Sequence, residues 1–336
     1  MKLSAELATE IDQKLAGFEA RALSHAAAKI SNRYREAARA RPRLLASDIE
    51  RAAYLATRMP ATFAAVSAAL QQLKHQMPLF APRSLLDLGA GPGTAAWASV
   101  QKFPTLDGVI LVERDALMMQ LGRELASASS NTALKKANWI QADLLATNFS
   151  AISEYFSKYD LVIFSYAFGE LSWQNRSALL QQLWDACAQV LLVVEPGTPN
   201  GYQNIITSRS ELLRLGAHII APCPHQLECP LQKIAGEWCH FAQRLERTSL
   251  HRRLKQGELG YEDEKFSYVA VGRNCLAPAP ARIIRHPLHA KARIQLQLCA
   301  QTGLQSLNLT KSNKESFRAA RRSKWGDAWP PLAAEK

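Results

Sequence analysis

The sequence predicts a doubly wound α/β fold, and three observations carry that expectation. Five short apolar runs fall between residues 84 and 196, a helical segment separates each from the next, and a glycine-rich turn follows the first. Short runs without polar alternation are what a parallel sheet covered on both faces produces. At 336 residues and 48% hydrophobic, the chain can bury a sizeable core, which excludes disorder as its main state.

The elements follow in chain order. From Leu3 to about Leu73 the pattern is helical, with Leu7, Ile11, Leu15 and Phe18 at the three-to-four spacing of a buried face. Ser47 with Glu50 makes a capping box ahead of Ile49, Ala53 and Leu55, and Pro60 restarts a helix after Met59. Arg33, Arg35, Arg39, Arg41 and Arg43 form a basic stretch between helices, read as a solvated face and linker, with an accessory RNA contact as the alternative. Strands are expected at 84–88, 108–113, 139–142, 161–165 and 190–195. Beyond them come a helix over 203–215, a Cys/His/Pro segment over 222–240, a basic helical stretch over 243–255, and strands at 266–271, 293–298 and 304–309. Residues 277–280 read as a short linker. The expected organisation is an N-terminal helical region (1–80), an α/β domain (81–215), and a segment (216–336) holding the cysteines, the last strands and a basic tail.

Charge is placed unevenly. Of the net +12, residues 265–336 supply +10, from 13 basic side chains against 3 acidic ones. An excess confined to one segment points to an anionic partner such as a phosphate backbone or an anionic membrane. No run reaches the roughly 20 apolar residues of a membrane span. Acids interrupt the first residues where a secretory signal would be apolar, so a cytoplasmic location is the expectation. Six cysteines in a reducing compartment argue for metal rather than disulfides.

The turn itself, LLDLGAGPGTAAWA over residues 85–98, ends a strand at Asp87-Leu88 and opens a helix at Thr94. Gly89, Gly91 and Gly93 permit positive φ and close approach of a ligand. The spacing differs from the dinucleotide fingerprint, and no Lys-Ser/Thr follows for a P-loop. It resembles motif I of class I S-adenosylmethionine-dependent methyltransferases, a Rossmann-like fold. That resemblance implies roles for the acids at successive strand ends: Glu113 for the ribose hydroxyls, Asp143 for the adenine amine, and Asp87 near the methionine end.

The catalytic position is less defined. Ser165-Tyr166-Ala167-Phe168-Gly169-Glu170-Leu171 stands where amino-methylating enzymes carry an Asn/Asp-Pro-Pro-aromatic turn. Glu170 is a candidate base and Tyr166 a candidate neighbour of the acceptor. A catalytic thiolate for carbon-5 cytosine chemistry is absent, because Cys187 reads as a structural thiol inside a helix.

Cys223, Cys229 and Cys239 fall within seventeen residues, beside His225, His240, Pro224 and Pro230. Structural zinc prefers close Cys pairs, and none is present. Wider spacing suits an iron–sulfur cluster, with zinc or no metal left open and Cys299 or Cys275 as a fourth ligand.

Taken together, TRMPATFAAV, LLDLGAGPGTAAWA, CPHQLECPL, WCHFAQRLER, YEDEKFSYVA and KWGDAW resemble, over roughly residues 50–330, the small-ribosomal-subunit methyltransferase-like family of bacteria and mitochondria. Membership implies binding to small-subunit ribosomal RNA during assembly, with the small ribosomal subunit as partner. It also implies a 4Fe-4S cluster on Cys223, Cys229, Cys239 and Cys299, with the histidines as packing residues. The expected protein is a monomer away from the ribosome, with no membrane partner. Lys311, Lys314, Arg318, Arg321, Arg322 and Lys324 are the expected RNA contacts, with Trp325 and Trp329 presented beside them. A catalytically inactive assembly factor with a vestigial pocket, and a small-molecule methyltransferase, are the competing functions.

Overall fold

The computed structural model describes residues 2–36, 45, 47–144, 158–171, 173–247, 249–254 and 259–331. An N-terminal layer of helices, α1 (Ala5–Leu15), α2 (Ala20–Glu36), α3 (Asp48–Thr57) and α4 (Met59–Gln76), precedes the first strand. The Ser47 hydroxyl caps α3 by accepting from the Glu50 N–H, as the sequence predicts. Side chains of Arg33 and Arg35, and residues 39, 41 and 43 altogether, lie outside the described residues.

The sheet then builds through β1 (Ser84–Leu88), α5 (Thr94–Lys102), β2 (Gly108–Glu113), α6 (Ala116–Ser127), α7 (Thr132–Lys135), β3 (Asn138–Gln141), β4 (Tyr159–Ser165), α8 (Trp173–Ala186) and β5 (Cys187–Pro196). It is completed by α9 (Pro199–Arg214), β6 (His218–Ala221), β7 (Phe241–Glu246), α10 (Ser249–Leu254) and β8 (Tyr261–Gly272). The strand order is β3-β2-β1-β4-β5-β8-β6, with β7 paired to β8. Strands β1 to β5 are parallel, and β8 runs antiparallel to both β5 and β6. One reversed strand between the fifth and sixth, on a sheet whose order turns back at β1/β4, is the class I methyltransferase arrangement. Both faces are buried: Leu85, Leu111 and Ile163 join a core beneath the N-terminal helices, while Leu86, Val112 and Val162 join a second beneath α8 and α9. That two-sided burial explains the unalternating apolar runs.

A smaller sheet follows, from β9 (Ala281–Ile283), β10 (Leu288–His289), β11 (Arg293–Ala300), β12 (Gly303–Thr310) and β13 (Ala328–Trp329). Helix α11 (Lys314–Arg322) covers one face through Phe317 and Ala320, against Ile294, Leu296 and Leu298. The chain after Leu215 is therefore divided between two sheets.

Three local expectations are corrected. Residues 243–246 form the end of β7, not a helix, because pairing with β8 outweighs a helical charge pattern; only α10 beyond them is helical. Cys187 begins β5 rather than lying inside α8. Trp329 is packed in the core of the smaller sheet, and Trp325 is half-buried between His240 and His286, so neither indole is offered to a partner as expected. Among the described residues no helix is long and apolar enough to cross a membrane.

Candidate functional site

The parallel sheet places its strand ends, and hence its turns, around one cavity of about 200 Å3. Gly89, Gly91 and Gly93 all hold positive φ, at 66°, 54° and 80°. The turn is pinned to the neighbouring strand by Gly89 and Ala90 N–H groups donating to the Val112 carbonyl at 2.9 and 3.1 Å. A Cβ at Gly89 would meet Ala167 at 2.9 Å, whereas one at Gly91 would reach the cavity wall in ordinary contact, 3.7 Å from the Tyr54 hydroxyl and 3.9 Å from the Met118 methyl. Gly91 thus forms a cradle that a side chain would fill.

Glu113 ends β2 on the cavity wall. One carboxylate oxygen accepts from the Gly91 N–H at 2.8 Å, the other from the N–H groups of Arg114 and Asp115 at 2.8 and 2.9 Å. The oxygen facing Gly91 keeps a further lone pair for a ligand hydroxyl, while the other has both engaged by the backbone. Asp143 lines the same cavity two residues beyond the end of β3. Asp87 does not line it. Fully buried under the turn, its carboxyl is pushed up to about 8 by desolvation, against a weaker pull from the Ala96 N–H, with the Glu113 carboxylate adding to the rise.

The acceptor side is the segment after β4, where Tyr166, Ala167 and Leu171 line the cavity. Tyr166 holds φ 57°, a conformation few non-glycine residues adopt. Its hydroxyl donates to Glu264 at 3.5 Å, and burial drives its ionisation well above the ordinary value. A buried network fixes this turn from behind: Glu195 accepts from the Phe168 N–H at 3.2 Å and from the Asn204 amide at 2.8 Å, and Asn204 accepts from Arg176 at 2.9 Å. Glu195, Asn204 and Arg176 gave no motif-level signal in the sequence. The Glu170 side chain lies outside the described residues. The N-terminal helices close the cavity with Tyr54, which carries no motif, and with Arg58 and Thr62 from the TRMPATFAAV segment.

A second cavity, about 30 Å3, lies between the two sheets. Cys223, Cys229, Cys239 and Cys299 all line it, while Cys187 and the exposed Cys275 do not. Tyr202 on α9 donates its hydroxyl to the Cys229 sulfur at 3.3 Å, and His225 Nε2 lies 3.6 Å from the Cys299 sulfur. Burial pushes the Cys299 thiol up to about 12, and burial with three neighbouring thiols holds Cys239 well above the usual thiol range. Among the described residues, no group of three or more His, Cys, Asp or Glu side chains is set to hold a metal ion.

The basic residues Lys311, Lys314, Arg318, Arg321, Arg322 and Lys324 are exposed on and around α11. Lys314, Arg318 and Arg321 follow at i, i+4 and i+7, along one stripe that flanks the buried Phe317 and Ala320.

Comparison with known proteins gives related findings. The chain is 28% identical over 295 residues to the human ribosome assembly protein METTL17, mitochondrial, covering 83% of this chain and 62% of that protein. It is 26% identical over 333 residues to Rsm22-cox11 tandem protein 2, mitochondrial, of Schizosaccharomyces pombe, covering 83% of this chain and 43% of that one. The chain thus spans less than two thirds of either relative. A solved magnesium protoporphyrin IX methyltransferase from Synechocystis, with bound S-adenosylmethionine, is 15% identical, with a TM-score of 0.40 over 64% of this chain and 80% of that chain. The expected cytoplasmic location is overturned by the relatives, which are named as mitochondrial proteins. Residues 48–330 match the family described as mitochondrial small ribosomal subunit Rsm22, and the chain belongs to that family.

Proposed function

We propose that this protein binds small-subunit ribosomal RNA and acts in ribosome assembly or translation, with S-adenosylmethionine in the α/β cavity and a metal cluster on the thiols. The observation that carries the RNA reading is the α11 stripe. Its basic side chains are exposed, form no ion pairs among the described residues, and sit on a helix held rigidly by the smaller sheet. Uncompensated cations on a fixed scaffold are the footprint of phosphate recognition. The family's description and the name of the human relative support the ribosomal assignment.

The cavity residues fit the cofactor. The cradle at Gly91 leaves room that a Cβ would occupy, Glu113 retains acceptor capacity for ribose hydroxyls, and Asp143 stands on the wall for an adenine amine. Bound S-adenosylmethionine supplies an electrophilic methyl group. The Tyr166 hydroxyl, committed to Glu264 and hard to ionise, does not serve as a base at neutral pH. The reading is therefore of a binding protein first. Methyl transfer to an RNA base is a second reading, favoured because the turn after β4 lines the same cavity as the glycine turn.

The thiol cavity fits a metal centre by its donor set, since four of six cysteines converge on it, three from the connection between β6 and β7 and Cys299 from β11. The wide spacing of the thiols along the chain, without a close Cys pair, favours the larger iron–sulfur body over zinc. Such a centre would tie Cys299 on β11 to the segments around β6 and β7, bracing the smaller sheet against the larger.

Equilibrium binding to small-subunit ribosomal RNA tests the function. Replacing Lys314, Arg318, Arg321 and Arg322 with Gln should weaken binding by roughly tenfold or more and flatten its salt dependence. Unchanged affinity and salt slope would sink the proposal. Methyl transfer to isolated small-subunit particles, with G91R as control, decides between the two readings.

A further inference from the structure

Two arginines are buried beside the four thiols without an acidic partner. Arg209 on α9 is 4% exposed and Arg282 on β9 is 2% exposed, and both line the thiol cavity. Their hydrogen bonds run to neutral acceptors. Arg209 Nη2 donates to the carbonyl oxygens of His225 and Leu227 at 3.0 and 2.6 Å. Arg282 donates through Nε to the Pro222 carbonyl at 2.9 Å, and through Nη1 to the Gln72 side-chain oxygen at 2.6 Å and the Gly326 carbonyl at 3.0 Å. Arg209 Nε is buried with no hydrogen-bond partner. Among the described residues neither guanidinium forms an ion pair.

A buried cation is costly unless opposite charge or strong dipoles face it, and carbonyl groups offset only part of that cost. Two such cations on one small cavity therefore call for negative charge inside it. The thiols supply that charge when they bind metal: each gives its proton to solvent as its sulfur–metal bond forms. Four thiolates around a doubly positive core, whether a cubane iron–sulfur core or a zinc ion, leave a dianion. Two guanidinium groups match it.

We propose that Arg209 and Arg282 are the built-in counter-charge of the thiol cavity, positioning residues that raise its affinity for a thiolate-bound metal centre and the reduction potential of a cluster held there. This rests on the metal-binding reading of the cavity and goes beyond it by assigning residues that are not ligands. A nearby positive charge favours the state carrying one more electron, so losing either cation moves the potential to a more negative value.

The test uses the full chain and the variants R209M, R209K, R282M and R282K. Cadmium ion is titrated anaerobically, followed by its sulfur-to-metal absorption. Reconstitution with mixed ferrous and ferric iron and sulfide then gives the midpoint potential. The methionine variants should bind cadmium roughly 10–100-fold more weakly, with a more negative potential, and the lysine variants should restore most of both. Methionine variants with unchanged affinity and potential would overturn the proposal. So would lysine variants as impaired as the methionine ones, since that marks the arginines as backbone clamps only. Where a methionine variant fails to fold, its lysine counterpart decides alone by keeping or losing cadmium affinity. A parent protein that takes up cadmium but not iron and sulfide removes the cluster reading, while the cadmium affinities still judge the arginines. A parent that binds neither defeats both.

Discussion

The α/β cavity and the thiol cavity are built by opposite means. The first is made at contiguous strand ends, largely from backbone: three glycines at positive φ, N–H groups tied to the next strand, and an acid closing β2. The second is made from side chains brought together over 76 residues of sequence, from Cys223 to Cys299, and includes a phenol and two guanidinium groups with no local motif. A site written into consecutive residues depends on the parent strand and turn. A site assembled from distant elements depends on the packing of α9 and both sheets, and ligand binding there feeds back on that packing.

The largest expected effect separates the cavities outright. C223S should abolish metal uptake, measured by elemental analysis, and loosen the smaller sheet to proteolysis before the α/β core; C275S should retain full uptake. Equal retention by both variants would merge the roles that the cavity keeps apart.

Next in size is the pH dependence of the α/β side. Asp87 is protonated in the folded state up to about pH 8 but ionises near 3.8 when unfolded, so the native state binds the extra proton between those values. Its contribution to stability is complete below about pH 4 and is lost as pH rises through 8. At about 1.4 kcal/mol for each tenfold change in proton affinity, the loss amounts to a few kcal/mol. D87N should flatten this slope in urea denaturation across pH 5 to 9; a slope identical to the parent's would refute the assignment.

Smaller again is N204A, which removes the buried amide hydrogen bond to Glu195 behind the acceptor turn. It should cost about 1–3 kcal/mol by the same denaturation assay. Removing the α3 cap with S47A should cost only about 1 kcal/mol and leave both cavities competent for ligand.

The same contrast governs what the sequence discloses. β1 and β2 are legible to the residue because their apolar runs and bounding turns are local. The four thiols are legible as a set through cysteine count and family resemblance. Arg209 and Arg282 are not, because a basic residue in a helix or strand reads as solvated until its neighbours are known. The β7 misreading has the same origin: its partner, β8, begins fifteen residues after β7 ends, and charge periodicity within 243–255 says nothing of that pairing. Trp325 and Trp329 lie beside basic residues in sequence, yet β13 turns Trp329 into the core.

The most direct test of a cofactor-binding methyltransferase fold in this family member is calorimetric titration of the full chain with S-adenosylmethionine, beside G91R. At Gly91 a side chain is strained by a φ of 54° and points into the cavity. Saturable binding at a single site in the parent, and none in the folded variant, is the expected result. No binding by the parent, or equal binding by both, would contradict it.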